Sequence, residues 1–243
     1  MAGHSKWAQI KRQKGVADQR RGAAFSKLTN AITIAAKNGS DPEMNFQLRI
    51  AIDKAKAANM PKDNIQRAID KATGAGGQAQ LEEVVYEAYG PGGTAFMIET
   101  ASDNRNRTVG EIRATLNKLD GKLAETGSVG YLFKKRGVIT VETTDIEQAE
   151  LAAIDAGAED FEPTETGLIV YTDPKEMENV RRALSTNGLE ATEVALEFHP
   201  TSIVQVSDPG VAKKNITLSE TLDELDDVVT VSSNFDVDEN LLQ

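Results

Sequence analysis

The chain has 243 residues, enough for two or three compact domains, and 40% hydrophobic residues give each of them material for a core. It has no Cys and only two His, His4 and His199, which excludes disulfides, thiolate chemistry and Cys- or His-rich metal sites. The net charge of −11 is unevenly spread: residues 1–71 hold 14 Lys+Arg against 6 Asp+Glu (net +8), and the rest hold 13 against 32 (net −19). A cationic end can engage phosphates while an acidic body points away from them, so the split predicts a polyanion-binding head on an anionic carrier.

Residues 1–22 place Lys6, Lys11, Arg12, Lys14, Arg20 and Arg21 against the single acid Asp18, with weak apolar periodicity; they read as a basic N-terminal arm. From Ala24 the apolar residues Phe25, Leu28, Ile32 and Ala35 recur at helical spacing, and Asn38-Gly39 supplies the stop. A second helix is expected to open with Asp41 as N-cap and Pro42 at its first position, a third at Met60-Pro61 with Ile65, Ile69 and Ala72 inward. Three short-linked amphipathic helices predict a small bundle over residues 23–76. Lys27 and Lys62 add cations to it.

After a Gly/Ala/Gln-rich linker the alphabet changes. Glu83–Tyr89 and Thr94–Ala101 read as strands joined at Gly90-Pro91-Gly92-Gly93, a turn rather than a phosphate loop because no Walker Lys-Ser/Thr follows. A helix is expected over Thr108–Leu119, with Thr108 and Glu111 at the spacing of a capping box, and then a strand over Val129–Phe133 with Tyr131 and Phe133 in the core. Residues 137–199 show the order βαββαβ, a ferredoxin-like unit. A strand, a helix and a last strand after Pro200 supply what the region before 137 lacks, so residues 81–136 and 200–243 are expected to form one discontinuous α+β domain around the insert. The strand Leu168–Thr172 lies in an acidic context, which argues against an RNA-binding sheet.

The stretches MAGHSKW (1–7), RRGAAFSKL (20–28), ANMPKDNI (58–65), YEAYGPGG (86–93), DNRNRT (103–108) and TGSVGYLF (126–133) closely resemble the YebC/PmpR family, which includes mitochondrial translational activators of cytochrome c oxidase. The resemblance runs from Met1 to Asn234-Phe235-Asp236 and implies an α+β multidomain fold: an N-terminal three-helix bundle plus two α/β-sandwich domains, the third ferredoxin-like and inserted in the second. Residues 9–14 and 45–49 depart from the family's usual pattern in detail, not in the sign of their charge. Members are described as DNA-binding transcriptional regulators and also as ribosome-associated factors that relieve stalling at proline-rich stretches.

What the resemblance and the charge split together imply is a non-catalytic, cytoplasmic, nucleic-acid-binding regulator of gene expression. Its alternatives are a translation factor contacting ribosomal RNA and a protein-binding adaptor. The candidate contacts are Lys6, Lys11, Arg12, Lys14, Arg20, Arg21, Lys27, Lys62, Arg105 and Arg107. Lys62 opens a helix where the macrodipole disfavours a cation, and either a bound phosphate or the neighbouring Asp63 would relieve that conflict. Arg105 and Arg107 stand before a helix N-terminus, a competent anion site unless Glu99 or Asp103 neutralises them. Glu220, Glu224, Asp226 and Asp227 alternate with leucines as a solvated helix face does, so they suggest no catalysis. No cofactor, metal, membrane or small-molecule substrate is expected, and the chain reads as a monomer or weak dimer.

Overall fold

The computed structural model describes residues 21–72 and 81–237, and the basic run Lys6, Lys11, Arg12, Lys14 and Arg20 lies outside them. Three helices come first: α1 (Arg21–Ala36), α2 (Phe46–Ala57) and α3 (Lys62–Ala72). Their inward stripes, among them Ile32 of α1, Leu48, Ile52 and Ala55 of α2, and Ile65, Ala68 and Ile69 of α3, merge into one buried cluster with Met60. The second helix starts later than Asp41-Pro42 suggested. Asn45 is its N-cap, accepting from the Leu48 N–H at 3.1 Å, while its Nδ2 donates to the Ala35 and Gly39 carbonyls, each at 2.7 Å. Asn45 therefore closes the end of α1 and the start of α2 together, which a Pro at position 42 cannot do.

A four-stranded antiparallel sheet follows, in the order β3 (Lys122–Leu123), β1 (Glu82–Tyr89), β2 (Ala95–Ser102), β9 (Val228–Ser233). The β1–β2 turn is a short 3-10 segment, Pro91–Gly93, in which Gly92 and Gly93 have φ of 75° and 78°. Helices α4 (Arg105–Lys118) and α7 (Pro209–Asp223) cover one face of the sheet through Ile112, Leu116, Leu218 and Leu222, against Ala88, Phe96, Ile98 and Val231. The short strands β8 (Val204–Val206) and β10 (Phe235–Val237) pair in parallel beside this core. On the opposite side α1 meets the sheet, where Asn30 Nδ2 donates to the Ala101 carbonyl at 3.4 Å and Lys37 Nζ to that of Leu81.

The chain forms two compact units, one holding the described residues up to Phe133 with those from Pro200, the other Lys134–His199. Strand β9, from beyond the interruption, pairs with β2, from before it. The second unit carries strands β4 (Phe133–Glu142), β5 (Asp160–Pro163), β6 (Gly167–Thr172) and β7 (Ala191–Pro200), with helices α5 (Ile146–Asp155) and α6 (Met177–Thr186). Its sheet order β5-β6-β4-β7 and the antiparallel β4–β6 and β5–β6 pairs are those of a ferredoxin-like fold. Tyr171 at its centre is 2% exposed, its ring 4.8 Å from that of His199 and its hydroxyl bonded to Glu162, so it offers no base-stacking surface. Among the described residues no helix is long and apolar enough to cross a membrane.

Candidate nucleic-acid interface

In the helical region Arg21 opens α1, and Lys27 on the same helix is half-buried and engaged in an interaction of its own. Lys62 is the first residue of α3, exposed, with Asp63 beside it in the first turn. One turn further, Arg67 is exposed on the face opposite Ile65, Ala68 and Ile69. Lys62 and Arg67 are both exposed, but at roughly 100° per residue they lie about 140° apart around the helix, so they are two separate surface cations rather than one stripe. Sequence reading selected Lys62 from its motif and missed Arg67, whose signal was only its place in the helical period. Lys56 is also exposed but sits 3.1 Å from Asp53.

The two arginines of DNRNRT have different fates. Arg105 is exposed and touches Glu82 at 3.8 Å, a loose surface pair worth little. Arg107 is committed: its Nη2 lies 3.0 Å from Asp103 Oδ1 and 3.0 and 2.8 Å from the two carboxylate oxygens of Asp227. The helix starts three residues before the expected Thr108 because Asn104 is the N-cap, accepting from the Arg107 N–H at 3.1 Å. Thr108 is thus inside α4 and free of the expected capping box. Its hydroxyl instead sits 2.7 Å from Asp227 Oδ2, where Ser102 Oγ also donates at 2.9 Å.

Asp227 is therefore no part of a solvated helix face: α7 ends at Asp223, and Asp227 is 6% exposed. Burial alone would raise its carboxyl, but hydrogen bonds from Thr108, Arg107 and Ser102 and the Arg107 charge outweigh that and hold it below its ordinary value. Its own backbone carbonyl accepts from the Ala101 N–H at 2.8 Å. This one residue ties β2, the start of α4 and the entry to β9 into a knot.

A second knot involves TGSVGYLF. Glu87, buried on β1, accepts the N–H groups of Gly127, Val129 and Gly130 at 2.7, 2.6 and 2.8 Å. Burial pushes its carboxyl up, and the backbone donors from Gly127, Val129, Gly130 and Ser128 more than reverse this, leaving it below the ordinary carboxylate range. The loop is an anion-binding concavity already filled by the protein's own carboxylate. Val129 is not in a strand: residues Gly130–Leu132 make a 3-10 turn, which turns Tyr131 out to 75% exposure, while Phe133 is buried as expected. A third knot holds GPGG, where the Thr94 hydroxyl donates to Asn215 Oδ1 at 2.7 Å and Asn215 Nδ2 to the Pro91 carbonyl at 2.9 Å. A Cβ on Gly90 would fall 2.4 Å from both Phe96 Cε2 and Thr94 Oγ1, so only Gly fits. Among the described residues no group of three or more His, Asp or Glu is placed to hold a metal ion.

A three-helix, locally cationic head followed by a sheet domain interrupted by a ferredoxin-like unit defines a class of protein, and comparison with known proteins gives it a family. The chain belongs to the TACO1/YebC family: its N-terminal domain model matches residues 5–75, and the model of the second and third domains matches residues 81–235. A "probable transcriptional regulatory protein" of Herpetosiphon aurantiacus is 48% identical over 247 residues, covering 100% of this chain and 98% of the relative. One of the same name from Roseiflexus castenholzii is 49% identical over 251 residues, with 100% and 98% covered. The crystal structure of a conserved hypothetical protein from Aquifex aeolicus matches with a TM-score of 0.89 at 44% identity, covering 98% of this chain and 100% of that one.

Proposed function

We propose that this protein is a non-catalytic regulator of gene expression that grips the phosphate backbone of a nucleic acid through its cationic N-terminal quarter. The observation that carries the reading is the reversal of charge, net +8 over residues 1–71 against −19 beyond them. Two further facts support it. Lys62 and Arg67 are both exposed on α3, and relatives matching the full length of the chain carry the name "probable transcriptional regulatory protein". The acidic body does not cancel the attraction, because charges beyond the Debye length of about 8 Å at physiological salt are largely screened. Arg107 leaves the set of contacts, its guanidinium being occupied by Asp103 and Asp227, and Arg105 stays in it as the weakly held neighbour.

If the five cations Lys6, Lys11, Arg12, Lys14 and Arg20 each neutralise one phosphate, log K falls with log salt at a slope of about −4 to −5. Backbone contacts carry no base identity, so the partner class is set by experiment: crosslinking in cells followed by sequencing of bound DNA and RNA. Promoter peaks support a DNA-binding transcriptional regulator. Ribosomal RNA without promoter peaks replaces it with a ribosome-associated factor, and a triple change of Lys11, Arg12 and Lys14 to Glu that leaves polyanion affinity untouched replaces both with a protein-binding adaptor.

A further inference from the structure

Among the described residues the sheet of the first unit has an incompletely paired edge. Strand β1 is eight residues long, but its outer neighbour β3 pairs only with Ala88 and Tyr89. The Ala124 N–H donates to the Glu87 carbonyl at 2.8 Å, which fixes the direction of the backbone there. In an antiparallel ladder the N–H and C=O of alternate residues point to the same side, so Glu87, Val85 and Glu83 aim outward while Val84 and Tyr86 pair with β2. Consistently, the Thr100 hydroxyl reaches the Val84 carbonyl from the β2 side. Nothing among the described residues pairs with the outward backbone of Val85, and its side chain is 39% exposed.

Proteins protect such edges with Pro, Lys, a bulge or a covering element. Strand β1 reads Glu-Glu-Val-Val-Tyr-Glu-Ala-Tyr with neither Pro nor Lys, and the sheet's register shift lies between β2 and β9. Among the described residues its protection is charge, from the exposed Glu82 and Glu83. That charge selects the occupant. A second copy laid in parallel, or antiparallel and centred on Glu83, would bring the exposed Glu82 and Glu83 carboxylates of the two chains together, and one centred on Val85 would meet Glu87, whose outward carbonyl Ala124 already occupies.

We propose that this edge receives an extended segment of another protein with Lys or Arg at alternate positions, added as a strand with backbone bonds to Val85 and Glu83 and its basic side chains on the face that carries Glu83. The edge adjoins Arg105, loosely paired with Glu82, and Lys37, bonded to the Leu81 carbonyl, so retention on heparin is read beside peptide binding to tell a failure of this proposal from a failure of the nucleic-acid reading.

The test uses the full chain and a synthetic peptide of alternating lysine and valine, followed by fluorescence anisotropy. Two controls separate strand addition from mere attraction: the same peptide with alternate backbone nitrogens methylated, which keeps its charge, and the variant Val85→Pro. A Pro is tolerated at an outward-facing edge nitrogen, and circular dichroism checks the fold. The expected result is saturable binding that weakens by about tenfold or more under either change, with retention on heparin unaltered. Equal binding of plain and methylated peptides by the unaltered chain would overturn the proposal without relying on the variant, as would no binding at all. Sedimentation showing a dimer that Val85→Pro abolishes would give the edge to a second copy instead.

Discussion

Replacing Asp227 by Asn should cost this protein more than any loss of a surface charge. The Asp227 carboxylate serves Ser102, Thr108 and Arg107, and both hydroxyl residues are at most 2% exposed. An Asn keeps one acceptor oxygen and puts an NH2 where an acceptor stood, so either the Ser102–Thr108 pair or the guanidinium loses its partner. Hydrogen bonds to a charged acceptor contribute about 1.5–3 kcal/mol each, and the variant leaves Arg107 with only the exposed carboxylate of Asp103. The expected loss is about 3 kcal/mol, which for a chain of this length lowers the melting temperature by roughly 6–12 °C. The pH dependence carries a sign. A carboxyl held below its ordinary 3.8 in the folded state contributes stability that is fully present above that value and is lost as pH falls through the depressed one. Urea unfolding between pH 7 and pH 3 should therefore show the gap between wild type and Asp227→Asn narrowing as the solution is acidified. A variant within about 0.5 kcal/mol of wild type at pH 7, or a gap that widens toward pH 3, would refute the knot as a stabilising element.

Glu87→Gln leaves one acceptor oxygen for three converging N–H groups. It should cost about 2 kcal/mol and speed hydrogen exchange at Gly127, Val129 and Gly130, read residue by residue by NMR. Gly90→Ala forces a Cβ to 2.4 Å from Phe96 and Thr94 and should lower stability by about 2 kcal/mol or more in chemical denaturation. The double change Lys62→Glu with Arg67→Glu should leave the melting temperature within about 2 °C, since both side chains are exposed, while reducing the magnitude of the salt slope for duplex binding by about 2.

The helices and the interruption of the sheet were legible in the sequence because periodicity and strand order are local or countable. Ile32, Leu48, Ile52, Ile65 and Ile69 fell on one stripe per helix, and the βαββαβ order marked the insert before any strand pairing was known. Helix starts were less legible where two caps competed. At α2, Asn45 won over Asp41-Pro42 because its amide also satisfies the end of α1, and at α4 Asn104 won over Thr108, which Asp227 had claimed. The carboxylate knots were invisible for a different reason. Asp227 meets Ser102 across 125 residues and Glu87 meets Val129 across 42, and a Glu or Asp in a charged segment looks the same whether it faces water or a buried donor. Among the candidate contacts, Lys62 is exposed at the start of α3, whereas Arg107 is held by Asp227, a partner 120 residues away that spacing does not supply.

The cationic end as the gripping surface is tested most directly by the salt dependence of oligonucleotide binding for the full chain beside a form lacking residues 1–22. The account predicts that deletion takes about 4 to 5 off the magnitude of the slope, with most of the affinity, and leaves the share of about 2 that Lys62 and Arg67 supply. Equal slopes and equal affinities for the two forms would contradict it.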